Sequence, residues 1–490
     1  MPQLSDSTDF QFAQLSMAAY ATLSPQSPTQ DPEQYRIQYE NALVAKGFSA
    51  RLAADFVTRY RVVEQSDPQF GFGFSATVFL DTSTNQKILA IRGQDSPLDF
   101  TADLAILFGV PSVFNSQYGQ LKNYYQSLIT RNVLTSEETF SVAGHSLGGY
   151  LAQAFTADPA FASNVLHAYT YNAPGSGGIF AEIANDFGFS PATIPNSQIT
   201  NFIAQGPSLI AGLGTLQGSP EDIFIENGSA LNDHAIETST DSLTEYALFE
   251  QIDPTTLPLA SITDILNAAS NVPERSLETA LDALRKLFTP PPAGSVLTPT
   301  PISTATDDSA PNKNNRNQYY LNLEALSTTL SAGAVAAPGP YHVDSLTDDA
   351  SGAVTLQTQS ANGLAYRYAL TQLNPFAILG ETAVLTRAEK GTGYFVWGVR
   401  GRPRDRSVDS RPKAVASCST HPGAPKGACR VTQVRRAASS CSKSGASSHW
   451  GQLGGSCTGP GSINAECWRL DHGHSEVCVT SPARTGLRRT

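Results

Sequence analysis

The run Gly144-His145-Ser146-Leu147-Gly148-Gly149 spells G-x-S-x-G followed by one more glycine. A serine hydroxyl attacks a carbonyl only when a base takes its proton, so the value of the motif depends on what surrounds it. Ahead of it, Thr139-Phe-Ser-Val-Ala-Gly144 has the pattern of a buried strand, and behind it Tyr150-Leu-Ala-Gln-Ala-Phe155 is compatible with a helix. A strand that turns sharply into a helix is the context in which such a serine is a nucleophile. The turn strains the serine and sets its Oγ at a helix N-terminus, where partial positive charge favours a developing oxyanion. Glycines two residues either side leave room for the crossing backbones. The competing reading is a glycine-rich turn of purely structural use.

The base is expected later in the chain. His234 is the candidate, in the polar loop Leu231-Asn-Asp-His-Ala-Ile236, ahead of an amphipathic segment bearing Leu243, Tyr246 and Ala247. The alternative for His234 is a solvated loop histidine. His145 is read as packing beside the strand, His167 as a satisfied core histidine, and His342 as a weaker rival base.

The elements that must position these residues alternate between strand and helix patterns over the first 250 positions. That is the sequence form of a mostly parallel sheet covered by helices on both faces, with the serine turn at a strand end. Strands are expected at 75–81 and 87–92 with a turn at Asn85, then at 139–144, 166–171 and 199–204; helices are expected at 98–108 and 118–130. Residues 273–288 put Leu277, Leu281, Leu284 and Phe288 on one helical face behind Pro273.

Boundaries follow from composition. A hydrolase-like domain is expected over 1–255, a helical segment over 256–288 and a Pro/Ser/Thr-rich linker over 289–314. A small ordered module of unknown function follows over 315–385. Residues 1 to 386 carry 15 Lys and Arg against 37 Asp and Glu, whereas 387 to 490 carry 17 against 6, so charges near -22 and +11 adjoin. All six cysteines lie in that basic stretch. Its composition offers too little apolar area to offset chain entropy, so 386–490 reads as a tail that is disordered or translated out of frame, without an element longer than one turn. The acidic body argues against nucleic acid as a partner and leaves neutral esters acceptable. No run approaches the roughly 18 apolar residues of a membrane-spanning helix, and no secretory leader is evident. The cysteine spacings lack the paired pattern of a zinc site, and neither metal nor cofactor is expected.

Over roughly residues 10 to 250 the chain resembles the class 3 (fungal-type) lipase family, including its bacterial members. The matching stretches are Leu89-Ala-Ile-Arg-Gly93 with Asp99-Phe-Thr-Ala-Asp103, then Val142 to Gly149, Tyr171-Asn-Ala-Pro-Gly175 and the loop holding His234. The resemblance implies an α/β-hydrolase acting on lipid esters without a cofactor, with Ser146 as nucleophile, His234 as base, and an oxyanion hole from the N–H groups of Leu147 and Gln94. A lipid or small ester is the expected substrate, with transient contact with a lipid surface. The family's aspartate corresponds to Ser208 in Asn201–Ile210, a neutral residue where loss of the charge can cost on the order of 10⁴ in turnover. Asp222, with Glu226 as its rival, is expected to replace it from the neighbouring strand, and Asp233 is expected to point elsewhere. Leu104–Val110 and Leu209–Leu213 read as core rather than lid. The resemblance further suggests secretion by a route independent of a signal peptide, with the cytoplasm as the alternative. A second functional class is a non-catalytic or weakly active lipase-like binding module of a larger exported bacterial protein.

Overall fold

The computed structural model describes residues 7–66, 74–93, 111–175, 196–205, 218–226, 233–255, 257–292, 295–303, 310–332, 341–347, 358 and 362–380, together with strands at 464–469 and 476–481. The chain divides into two compact units, Met1–Gly398 and Val399–Thr490.

In the first unit a seven-stranded sheet runs in chain order: β1 (Tyr60–Gln65), β2 (Ala76–Asp81), β3 (Gln86–Ile91), β4 (Phe140–His145), β5 (Val165–Tyr171), β6 (Ile199–Ala204) and β7 (Ser219–Ile223). The first two pairings are antiparallel and the remaining four parallel, so β4 is the central strand. This is the α/β-hydrolase-like architecture expected, and the strand expectations hold to within about a residue at each end. Asn85 turns between β2 and β3 at φ 59°.

Both faces of the sheet are apolar, as a covered parallel sheet requires. Phe79, Ile88, Ala90, Ala143, Tyr171 and Phe202 point into one core, while their neighbours Val78, Leu89, Ile91, Val142 and Ala168 point into the other. Period-two alternation therefore separates two cores rather than core from solvent. The first core is filled from α1 (Thr8–Ala18), α2 (Pro32–Val44) and α3 (Ala50–Arg59). Proline at the first position and Asp31 accepting the Gln34 N–H start α2; Ser49 accepting the Leu52 N–H starts α3. The second core is filled from α4 (Pro111–Thr130), which begins seven residues ahead of the expected 118, and α5 (Leu147–Ala157).

Residues beyond 255 differ from expectation. The helices α6 (Ile236–Ile252), α7 (Leu259–Ala268), α8 (Ser276–Phe288) and α9 (Ala310–Ser331) share the first core, as do the antiparallel pair β8 (His342–Ser345) and β9 (Phe376–Leu379) and the helix α10 (Gly363–Gln372). Tyr319, Leu323, Phe376 and Ile378 are buried in the cluster that holds Phe12 and Phe56. The described residues of the 315–385 segment thus share the first core instead of forming a separate one. Part of the expected linker is pinned to α8: the Thr300 N–H donates to Asp282 and the Ser303 N–H to Glu278. The described residues 289–292 and 295–303 carry no helix beyond α8 and no strand, the carboxylates of α8 fasten them, and α9 begins at Ala310 inside the expected 289–314.

In the second unit β10 (Asn464–Arg469) and β11 (Glu476–Ser481) form an antiparallel pair with Cys467 opposite Cys478. The expectation of no element longer than a turn is corrected there. The β-branched residues Val477, Val479 and Thr480 and the aromatic Trp468 suit a strand despite the polar surroundings.

Candidate active site

Ser146 stands between β4 and α5 at φ 55° and ψ -125°. A non-glycine residue held there costs on the order of 1–3 kcal/mol, and it persists because the neighbours allow no other path. The Ser146 N–H donates to the Tyr171 carbonyl at 2.9 Å and its own carbonyl accepts the Tyr150 N–H at 3.0 Å. A Cβ on Gly148 would lie 2.2 Å from the Ile91 oxygen, and one on Gly144 would lie 2.4 Å from the Gly148 oxygen. The two motif glycines are therefore required by backbone crossing. Ser146 is only 2% exposed, and its Oγ makes no hydrogen bond among the described residues. Leu147 opens α5, so its N–H is among the first four of that helix, which lack an intrahelical acceptor.

The end of β3 lies against the elbow. A Cβ on Gly93 would come within 2.4 Å of the Tyr20 hydroxyl, 2.6 Å of the His145 oxygen and 3.3 Å of the Ser146 Cβ. Gln94, the expected second oxyanion donor, lies outside the described residues, as do Ser208, the 98–108 segment and the two apolar runs 104–110 and 209–213.

His234 sits in a turn before α6 and is 2% exposed. Burial, with His145 close by, lowers its pKa well below the ordinary histidine value, so the ring is neutral, the form a base needs. The His145 and His234 ring centroids are 4.9 Å apart. His145 is therefore more than a packing residue. Its Nε2 lies 2.6 Å from the His234 carbonyl oxygen and its Nδ1 2.8 Å from the Tyr20 hydroxyl. Asn172, at φ 48° just past β5, donates from Nδ2 to the carbonyls of Asp233 and His234 at 3.3 and 3.2 Å. Asn172 lies within Tyr171-Asn-Ala-Pro-Gly175, a motif whose spacing alone assigns it no role. The signal was present in its type: asparagine tolerates positive φ and carries both a donor and an acceptor.

The carboxylate expectations fare differently. Asp222 is on β7 as expected, but its side chain is exposed while His234 is buried, and among the described residues no hydrogen bond joins them. Its carbonyl accepts the Thr263 hydroxyl. Glu226 lies three residues past β7, where it accepts the Leu277 N–H at the start of α8. Burial and the neighbouring Glu278 raise its pKa, so it is a helix-capping carboxyl remote in role from the base. Asp233 is fully buried beside His234. His167 bonds Thr200 through Nε2 at 2.9 Å, and His342 pairs with Asp253 at 2.8 Å; neither joins the elbow among the described residues.

The sheet and its covering helices define an α/β-hydrolase-like fold, with a strained serine at the turn from its central strand into a helix. No family model matches the chain, and no curated protein matches it. It is similar to the solved structure of Lip2 lipase from Yarrowia lipolytica, at 18% identity and a TM-score of 0.29 over 46% of this chain and 82% of that one. Lipase II from Rhizopus niveus is 16% identical, with a TM-score of 0.28 over 45% and 81%. A triacylglycerol lipase from Penicillium expansum is 14% identical, with a TM-score of 0.26 over 46% and 81%.

Proposed function

We propose that the protein is a serine-dependent carboxylic ester hydrolase acting on lipid esters. The observation that carries this reading is Ser146 itself: a buried hydroxyl with no hydrogen-bond partner among the described residues, on a backbone at φ 55° at the mouth of a helix. Strain of this kind clusters where a group is held ready for chemistry, and it suits an attacking Oγ.

In the proposed mechanism Ser146 Oγ forms a bond to the ester carbonyl carbon as its proton passes to the neutral His234 ring. The carbonyl π electrons move to oxygen, and the resulting anion is met by the N–H groups of Leu147 and Gln94. The carbon–alkoxy bond then breaks, with the alcohol taking the proton from His234. Water, deprotonated by the same ring, attacks the acyl-serine and releases the acid, restoring Ser146. The approach of a substrate tightens the serine–histidine contact, which is commonly loose in an empty site.

The exposed placement of Asp222 favours a second reading, a weakly active or non-catalytic lipase-like binding module, because a carboxylate facing solvent on the edge strand is not set to stabilise an imidazolium at a buried His234. Hydrolysis of p-nitrophenyl esters from short to long acyl chains separates the two. Activity that Ser146→Ala abolishes on folded protein is expected; equal inertness of wild type and variant would leave the binding module. The acyl-length optimum sorts lipid esters from short-chain esters.

A further inference from the structure

We infer that Asn172 and His145 are positioning residues for His234, gripping its main-chain carbonyl from two sides so that nucleophile and base move as one frame. The inference rests on the proposed roles of Ser146 and His234.

A carbonyl oxygen only accepts, so the His145 nitrogen 2.6 Å from the His234 oxygen must carry the proton. Burial lowers the His145 pKa to about 4, keeping the ring neutral, which leaves Nδ1 as an acceptor and makes the Tyr20 hydroxyl its donor. The His234 carbonyl thereby selects the Nε2–H tautomer, and the Tyr20 hydroxyl supports it by donating to Nδ1. The Asn172 carboxamide is oriented just as definitely. Its Oδ1 accepts the Ala204 N–H at 2.8 Å, so its Nδ2 faces the Asp233 and His234 oxygens, with Ser239 Oγ at 3.4 Å. Asn172 is itself held by its N–H to the Phe202 carbonyl at 2.8 Å.

These bonds join the ends of β4, β5 and β6 to the turn that carries His234. Since His145 immediately precedes Ser146, one peptide separates the grip on the base from the nucleophile. A carbonyl with both lone pairs engaged has little freedom to shift, which fixes the backbone from which the imidazole projects. Neither side chain is placed to touch substrate through these contacts; both act through His234.

The test uses the full chain, with folded sites counted by fluorophosphonate titration. Asn172→Asp keeps the acceptor for Ala204 and the tolerance of positive φ, but sets a carboxylate oxygen against two carbonyls. It is expected to lower kcat on p-nitrophenyl esters by about 10- to 100-fold per titrated site with KM little changed, the cost of a misplaced base. His145→Leu is expected to act similarly and His145→Gln, whose amide offers a donor and an acceptor, to recover much of the loss. Tyr20→Phe, which leaves both grips in place, gives a smaller loss in the same direction. Wild-type kcat per titrated site in Asn172→Asp, or equal losses in His145→Leu and His145→Gln, would overturn the inference. Nitrogen-15 shifts of selectively labelled histidines read the frame without catalysis: His145 is expected as Nε2–H in the wild type and in Tyr20→Phe alike, because the His234 carbonyl accepts from Nε2 in both. An inert wild type with that tautomer would sink the esterase reading and leave the frame standing, whereas an Nδ1–H tautomer in the wild type would refute the frame itself.

Discussion

Two buried polar clusters in the first unit differ in how completely their hydrogen bonds are made. Under α6, Arg316 and Asp241 are each 4% exposed, and the guanidinium reaches both carboxylate oxygens at 2.7–3.0 Å. Tyr320 donates to the same carboxylate at 2.5 Å, and Arg316 also bonds the Gly47 carbonyl. At the elbow, by contrast, Ser146 is as deeply buried, yet its Oγ has no hydrogen bond among the described residues and its backbone is strained. Burial and polarity therefore do not by themselves mark a site. The saturated cluster locks α9 onto α6 and onto the turn ahead of α3, while the unsaturated one leaves a buried hydroxyl without a hydrogen bond among the described residues.

Breaking the saturated cluster has the largest expected effect. Arg316→Met leaves Asp241 buried and uncompensated and is expected to lower unfolding free energy by about 3–5 kcal/mol, read from urea midpoints, with ester turnover per folded molecule unchanged. A loss under about 1 kcal/mol would mean that the pair behaves like an exposed one.

The elbow's contribution is pH-dependent. The folded pKa of His145 is held down to about 4 by burial, below its ordinary 6.5, so its stabilisation is fully present above pH 6.5 and is lost as pH falls through about 4. The loss amounts to about 3 kcal/mol across that window, and His145→Gln is expected to flatten the acid limb of a urea-stability profile. The buried carboxyls of Glu226 and Glu245 have raised pKa values and act oppositely: their stabilisation is present below their ordinary 4.5 and is lost on the alkaline side. An acid limb unaltered in His145→Gln would assign the slope to other groups.

The smallest effect sharpens the comparison most. Ser146→Gly removes the positive-φ strain and is expected to exceed Ser146→Ala in stability by about 1 kcal/mol, although both lose activity. Equal stabilities would show that the turn stores no strain.

The sheet and the serine turn were legible because alternation and glycine spacing are local signals. Leu89, Val142 and Ala168 announce buried strands, and Gly144 and Gly148 announce a crossing that only the turn needs. The frame around His234 was not legible, since Tyr20, His145 and Asn172 meet only after three strands and a helix have assembled. The same holds for α9: the run Tyr319-Tyr-Leu-Asn-Leu reads as apolar, but nothing local says that its arginine neighbour will pair with Asp241 from 75 residues earlier. Asp222 shows a related limit. Chain order placed it between serine and histidine, whereas strand alternation turned its side chain outward on the outermost strand.

The most direct measurement is the rate and site of labelling by a fluorophosphonate, read by intact mass and peptide mapping on the full chain. One adduct per molecule on Ser146 is expected, absent in Ser146→Ala and slowed by about 10³-fold or more in His234→Ala. Labelling elsewhere, or labelling of Ser146 as slow in the wild type as in His234→Ala, would contradict the pairing of these two residues as nucleophile and base.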